Sequence, residues 1–268
     1  MVSGTPLLGK TKRETVSRES EVFMGQIIAV VSGKGGTGKT SFTALTGAAL
    51  AQLGHRTLVL DCDIGLRDLD LALGMTDRAL MDFSDVVAGR AALEEAAVRH
   101  HRLPNLCLLT APLTTEAALS TEAMRALLAQ VREQFDYCLV DAGAGLGESF
   151  RLATANADRI IVISAAEPAC LRDAQRTVME LHGFPAGRLH LVVNRLRRKL
   201  LRSLHANLDD AMDTAGLPLL GVIPEDDNLP VQLGRGMVDR LPSRSPARRA
   251  TMNIARRICG EKVPLMKI

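Results

Sequence analysis

Seven short apolar runs, at 27–31, 57–60, 106–109, 137–140, 160–163, 189–193 and 219–223, divide the chain into a regular series. Several are apolar at every position instead of alternating, which is how strands covered on both faces read, as in a parallel sheet. Between them lie segments with helical spacing at 41–53, 121–135, 148–155 and 169–181. A last one, 246–258, follows the final run and opens on Ser245-Pro246, a capping hydroxyl and then a proline suited to the first turn. Strand and helix in alternation predict an α/β fold: a doubly wound, mostly parallel sheet of about seven or eight strands with helices on both faces. In such a sheet a ligand sits beyond the carboxyl ends of the strands, so the side chains that close each run are the informative ones. Residues 1–23 mix charges and hydroxyls without this pattern and are expected to form a disordered leader or an upstream extension. The domain then spans 24–262, with 263–268 as a short tail.

The first run is followed directly by Ser32-Gly33-Lys34-Gly35-Gly36-Thr37-Gly38-Lys39-Thr40-Ser41, which fits the phosphate-loop pattern G-x-x-x-x-G-K-[ST] between a strand and a helix. Glycine lets backbone N–H groups approach phosphate oxygens, and the helix from Lys39 turns its positive end toward the same anion. Lys39 is expected to reach the β- and γ-phosphates of a nucleotide, and the Thr40 hydroxyl to coordinate Mg²⁺, in a P-loop NTPase. The second run ends on Asp61-Cys62-Asp63 and the fourth on Asp141. If the strand stays extended, Asp61 and Asp63 point the same way, because strand side chains repeat every two residues. Such a carboxylate can hold a Mg²⁺-bound water or orient the attacking water. An apolar strand closing on Asp is a Walker B pattern, so Asp141 is expected to bind Mg²⁺ through water.

Lys34 is not required by the general loop motif. Lys-Gly-Gly-x-Gly-Lys-Thr, at Lys34 to Thr40, resembles the deviant Walker A signature of the MinD/ParA group of ATPases. The stretch Asp61-Cys62-Asp63-Ile64-Gly65-Leu66-Arg67-Asp68-Leu69-Asp70, continuing through Leu71-Ala72-Leu73-Gly74, resembles the switch I segment of the MinD branch at nearly every position, and flagellar-number ATPases usually differ at Leu66-Arg67. The resemblance covers residues 24–262. It implies that Lys34 reaches the nucleotide of a second subunit, giving an ATP-dependent homodimer, with Lys34, Lys39 and Asp63 serving hydrolysis and Asp61 supporting the metal. It implies that Gly145 responds to the γ-phosphate. The branch reads roughly D-[SA]-P-A-G there, whereas this chain has Asp141-Ala142-Gly143-Ala144-Gly145, so a looser loop is expected. Asn194-Arg195 and Pro224-Glu225-Asp226 close the last two runs and correspond to segments that frame adenine. An Asn amide offers both a donor and an acceptor to such an edge. Arg172-Asp173 resembles the opening of the dimer-interface helix, near which a division inhibitor of the MinC type and a MinE-like activator or substitute dock. The implied function is a slow, activator-stimulated ATPase that regulates septum placement by recruiting the inhibitor to the membrane, with the protein cytoplasmic or peripheral on the membrane's cytoplasmic face.

Composition narrows the rivals. The net charge is +3 and aromatic residues make up 3%, with no Trp, which argues against a base-stacking platform for single-stranded nucleic acid. None of the five cysteines forms a C-x-x-C pair, which removes a zinc ribbon and the iron–sulfur carriers of the same group. Two basic clusters, Arg195, Arg197, Arg198, Lys199 and Arg202, then Arg244, Arg248, Arg249, Arg256 and Arg257, suit solvated faces, anionic lipid or DNA phosphates. They keep a ParA-type DNA-partitioning ATPase as an alternative, and the loop at Gly143 keeps a nucleotide-gated scaffold with little hydrolysis as another. The closing Val263-Pro264-Leu265-Met266-Lys267-Ile268 leaves no room for a complete amphipathic helix, so direct membrane anchoring is expected to be weak.

Overall fold

The computed structural model describes residues 24–76, 78–114, 119–197 and 208–266. The expected leader 1–23, the basic positions Arg198, Lys199 and Arg202, and Lys267 and Ile268 lie outside these residues.

Strands β1 (Gln26–Val31), β2 (Thr57–Asp61), β3 (Val98–Arg99), β4 (Leu106–Leu109), β5 (Tyr137–Asp141), β6 (Arg159–Ala165), β7 (Leu189–Leu196) and β8 (Leu219–Pro224) form one sheet in the order β3-β4-β2-β5-β1-β6-β7-β8. Every pairing is parallel except β3 with β4. The chain leaves β1 toward β2 on one side and later crosses past it to β6 on the other. A crevice therefore opens above the carboxyl end of β1.

The uninterrupted apolar runs follow from this architecture. Alternate residues of each strand feed two separate cores. Ile27, Ala29, Val31, Leu58, Leu60, Cys138 and Val140 enter one, with α3 (Phe83–Val87), α4 (Leu93–Ala96), α5 (Thr121–Gln134), α6 (Glu148–Thr154), α7 (Pro168–Glu180) and α8 (Leu208–Ala215). Ile28, Val30, Val59, Leu139, Ile161 and Ile163 enter the other, under α1 (Lys39–Gln52), α2 (Asp68–Leu73) and α10 (Pro246–Ile258). Each such side chain is fully buried, and each Val, Leu or Ile among them contributes ~1.5–3 kcal/mol. Helix α10 has the expected bounds: the Ser245 hydroxyl accepts the Arg248 N–H at 3.1 Å, and Pro246 fills the first turn. Helix α9 (Asn228–Gly234) lies beyond β8.

Strands β2, β5, β6, β7 and β8 run one to three residues past their apolar runs, because ladder pairing continues toward the crevice. The pairing of β2 with β5 places Asp61 beside Asp141.

Candidate functional site

The loop between β1 and α1 turns on Gly36 and Gly38, whose φ values of 77° and 88° lie in the left-handed region open to glycine. Helix α1 starts with no side-chain cap and no acidic residue in its first turn. Its positive end is bare, which suits an anion. Lys39 is only 7% exposed, and Thr37 Oγ1 is buried without a protein partner. Lys34, by contrast, is exposed. Gly33 serves a different purpose from its loop neighbours. A Cβ there would collide with the Asp173 carbonyl oxygen and lie 2.8 Å from Thr177 Oγ1, so this glycine lets the loop lie against α7.

Asp61 and Asp141 are each 1% exposed, at neighbouring strand ends. Burial, then the Asp141 charge, pushes the Asp61 carboxyl up to about 7. Burial pushes Asp141 up to about 6, against hydrogen bonds from Thr40 and Thr43 and the charge of Lys39. The Thr43 hydroxyl lies 3.1 Å from Asp141 Oδ1. Thr43 was missed by sequence reasoning, although it sits one helical turn after Lys39, on the face that turns toward β5. Two buried carboxylates beside a single lysine lack positive charge. That donor set, with the Thr40 hydroxyl alongside, fits a divalent cation of the Mg²⁺ type better than it fits water alone.

The extended course that would aim Asp61 and Asp63 the same way ends at Asp61. Strand β2 stops at Asp61, whose Oδ1 accepts the Asp63 N–H at 2.8 Å and whose Oδ2 accepts the Leu69 N–H at 3.3 Å. The Asp61 carboxylate thus folds the following segment into a turn and closes it onto α2. Arg67 holds the turn from outside in a left-handed conformation, φ 51°, donating to the Ala111 carbonyl at 2.5 Å. Asp63 is half-buried. Burial raises its pKa, and the Lys39 charge opposes that rise. Gly143, where the resemblance implies a looser loop, has a partner. Gly143 is buried, and its N–H donates to Ser149 Oγ at 2.6 Å. Gly145, φ 82°, has open space around it.

Two adjoining cavities, of about 380 and 330 Å³, lie beside the loop. The first is lined by Lys34, Gly35, Gly36, Thr37, Cys170, Arg195 and Glu225, among others. The second is lined by Gly38, Ser41, Asn194, Pro224, Asp226 and the apolar side of α9. Two expected base contacts also make bonds within the chain. The Asn194 amide nitrogen donates inward to the Thr37 carbonyl at 2.8 Å, so this residue braces the loop. Asp226 receives the Asn228 N–H at 3.0 Å, the Ser245 hydroxyl at 2.5 Å and the Ala247 N–H at 3.4 Å, so its carboxylate pins the start of α10. Glu225 pairs with Arg195 and Arg197 at 3.3 and 3.4 Å. These arginines hold the Glu225 pKa down against its burial.

Arg172 is exposed and Asp173 half-buried on the first turns of α7, directly behind Gly33. In the basic clusters, Arg257 donates to the carbonyls of Leu220, Val263 and Pro264, Arg248 to that of Leu241, and Arg256 pairs with Glu261. Arg244 and Arg249 are exposed. No helix among the described residues is long and apolar enough to cross a membrane.

Residues 28–238 match the CobQ/CobB/MinD/ParA nucleotide binding domain. The septum site-determining protein MinD of Synechocystis sp. is 38% identical over 249 residues, 91% of this chain and 92% of that protein. Its counterpart in Thermotoga maritima is 37% identical over 246 residues, 90% and 91% of the two chains. Among solved structures, the MinC:MinD cell division protein complex of Aquifex aeolicus superposes with a TM-score of 0.84 at 33% identity, over 91% of this chain and 99% of that one. The Pyrococcus horikoshii MinD complexed with Mg-ADP gives 0.76 at 29% identity, over 88% and 96%.

Proposed function

Since the chain belongs to the MinD branch of the CobQ/CobB/MinD/ParA nucleotide-binding family, we propose that it is an ATP-dependent dimerising switch that regulates septum placement by recruiting a division inhibitor of the MinC type to the membrane. The observation that carries the nucleotide half is the buried pair Asp61 and Asp141 beside Lys39, under the uncapped start of α1. The division half rests on the relatives, one of which was solved in complex with MinC.

Catalysis in this reading is positioning and charge neutralisation. Lys39 and the first N–H groups of α1 hold the β- and γ-phosphates. Thr40 and, through water, Asp61 and Asp141 would hold Mg²⁺, which would neutralise phosphate charge. Asp63 orients the attacking water. Exposed Lys34 is free to reach a second copy, and Gly145 turns its backbone toward the γ-phosphate. The cavities framed by Asn194, Arg195, Pro224, Glu225 and Asp226 take the base. Arg172 and Asp173 lie where a partner helix meets the back of the loop. Turnover is slow until a MinE-like activator engages. DNA partitioning is the weaker reading, because the relatives 37–38% identical over nine-tenths of the chain are septum site-determining proteins.

The test is light scattering in MgATP and in MgADP, for the wild type and Lys34→Ala, followed by co-sedimentation with anionic liposomes and with duplex DNA. The expected result is a wild-type dimer in MgATP alone, lost in Lys34→Ala, that pellets with liposomes in MgATP and carries the MinC-type partner down with it. ATP-dependent pelleting with DNA and not with liposomes sinks the membrane reading.

A further inference from the structure

Gly143 and Ser149 form a bridge that the phosphate-loop motifs do not account for. The Gly143 N–H donates to Ser149 Oγ at 2.6 Å, and that hydroxyl donates to the Cys62 carbonyl at 2.6 Å. A serine hydroxyl carries one proton, so the two bonds fix each other's direction. Cys62 follows Asp61 at the end of β2, and Gly143 lies two residues after Asp141, the end of β5. One side chain thus joins the two loops that leave the carboxylate pair. Ser149 is held firmly, in the first turn of α6, with Phe150, Leu152 and Ala153 buried behind it. Asp63 lies against the same bridge. A Cβ on Gly143 would come 2.9 Å from Asp63 Oδ1 and 3.2 Å from both Ser149 Cβ and Oγ. A methyl group there has to displace the Asp63 carboxylate, and a proline would have no N–H to donate.

We propose that Ser149 is a positioning residue that couples the two loops and holds the Asp63 carboxylate in place through Cys62 and Gly143. The inference rests on the nucleotide-switch reading and specifies how that switch is kept stiff. Where the resemblance has a proline to stiffen the segment after Asp141, this chain has a hydrogen-bonded bridge. The bridge reports a shift of either loop to the other, because moving one breaks a bond that orients the second. It acts through Asp63 and touches no substrate, so its loss affects turnover more than nucleotide affinity.

The experiment compares the wild type with Ser149→Ala, Ser149→Thr and Gly143→Ala. Turnover, MgADP affinity and amide hydrogen exchange are measured for each. Ser149→Ala leaves the Gly143 N–H and the Cys62 carbonyl without their partner, and kcat is expected to fall about tenfold, equivalent to ~1.4 kcal/mol of barrier. MgADP affinity stays within about twofold, exchange rises in segments 62–67 and 142–147 together, and Ser149→Thr restores most of the rate. Gly143→Ala keeps the hydroxyl but displaces the Asp63 carboxylate, and is expected to lose kcat in the same way. It decides the matter if Ser149→Ala does not fold. A wild type that releases no phosphate from ATP overturns the switch reading together with the inference. An active wild type matched within about twofold by Ser149→Ala, or by Gly143→Ala where Ser149→Ala does not fold, overturns the inference alone. So does a Ser149→Ala protein that loses MgADP affinity as much as turnover.

Discussion

Replacing Asn194 by Ala separates two roles for one amide. Asn194 is 4% exposed and gives its nitrogen to the Thr37 carbonyl at 2.8 Å. Removing that donor forfeits a hydrogen bond worth ~0.5–1.5 kcal/mol and strands a buried carbonyl, at a cost of ~1–3 kcal/mol. A penalty of ~2 kcal/mol on the ordered loop must be met by any ligand that needs the loop ordered, so affinity falls about 30-fold. A bracing residue imposes this loss on ATP, GTP and tripolyphosphate alike, since tripolyphosphate has no base. Titration calorimetry of the three ligands against wild type and Asn194→Ala measures it. If ATP affinity drops while tripolyphosphate affinity holds, Asn194 reads the base and the bracing argument is refuted.

Gly33→Ala forces a methyl group into the Asp173 carbonyl and Thr177 hydroxyl of α7, and is expected to cost ~1–3 kcal/mol by urea unfolding while weakening nucleotide binding. A variant as stable as the wild type shows that the loop does not rest on α7. His100 is 2% exposed, and its Nδ1 accepts the N–H groups of Arg102 and Leu103, each at 3.1 Å. Burial, and then His101, lower its pKa, with Arg102 adding to the fall and Asp239 opposing it. The folded state therefore binds fewer protons than the unfolded one, and stability is lost as pH falls below the ordinary histidine value of about 6.5. Between pH 7.5 and 5.5 the wild type is expected to lose up to ~1 kcal/mol more than His100→Asn, which keeps an acceptor but does not titrate. Parallel urea midpoints for the two proteins would exclude this role.

The seven apolar runs and the phosphate loop were legible because their signals are local. A strand buried on both faces has to be apolar at successive positions, and a loop that turns a strand into an uncapped helix needs glycines at set spacings. Helix α10 was legible to the residue for the same reason, since Ser245 and Pro246 mark its start by local chemistry. Strand β3, with two residues, and the short helices α2, α3, α4 and α9 carry too few positions for a period to register. Of these, α2, α3 and α4 exist because larger neighbours cover their apolar positions.

The expectations that changed all concern where a polar side chain spends its hydrogen bonds. Asp61 reads as a metal carboxylate and also ties the backbone of Asp63 and Leu69. Asp226 reads as a base contact and pins α10 through Ser245, nineteen residues away. Gly143 reads as a loosened hinge and is held by Ser149. By itself, the sequence determined the layered α/β class, the phosphate loop and the acids at the strand ends, because composition and spacing within about ten residues suffice for these. The tertiary structure alone decided that Asp61 stands beside Asp141, that Asn194 faces the loop and that Ser149 joins two loops. Those partners come from distant segments, and sheet order sets their distance while burial obliges each polar group to find a partner.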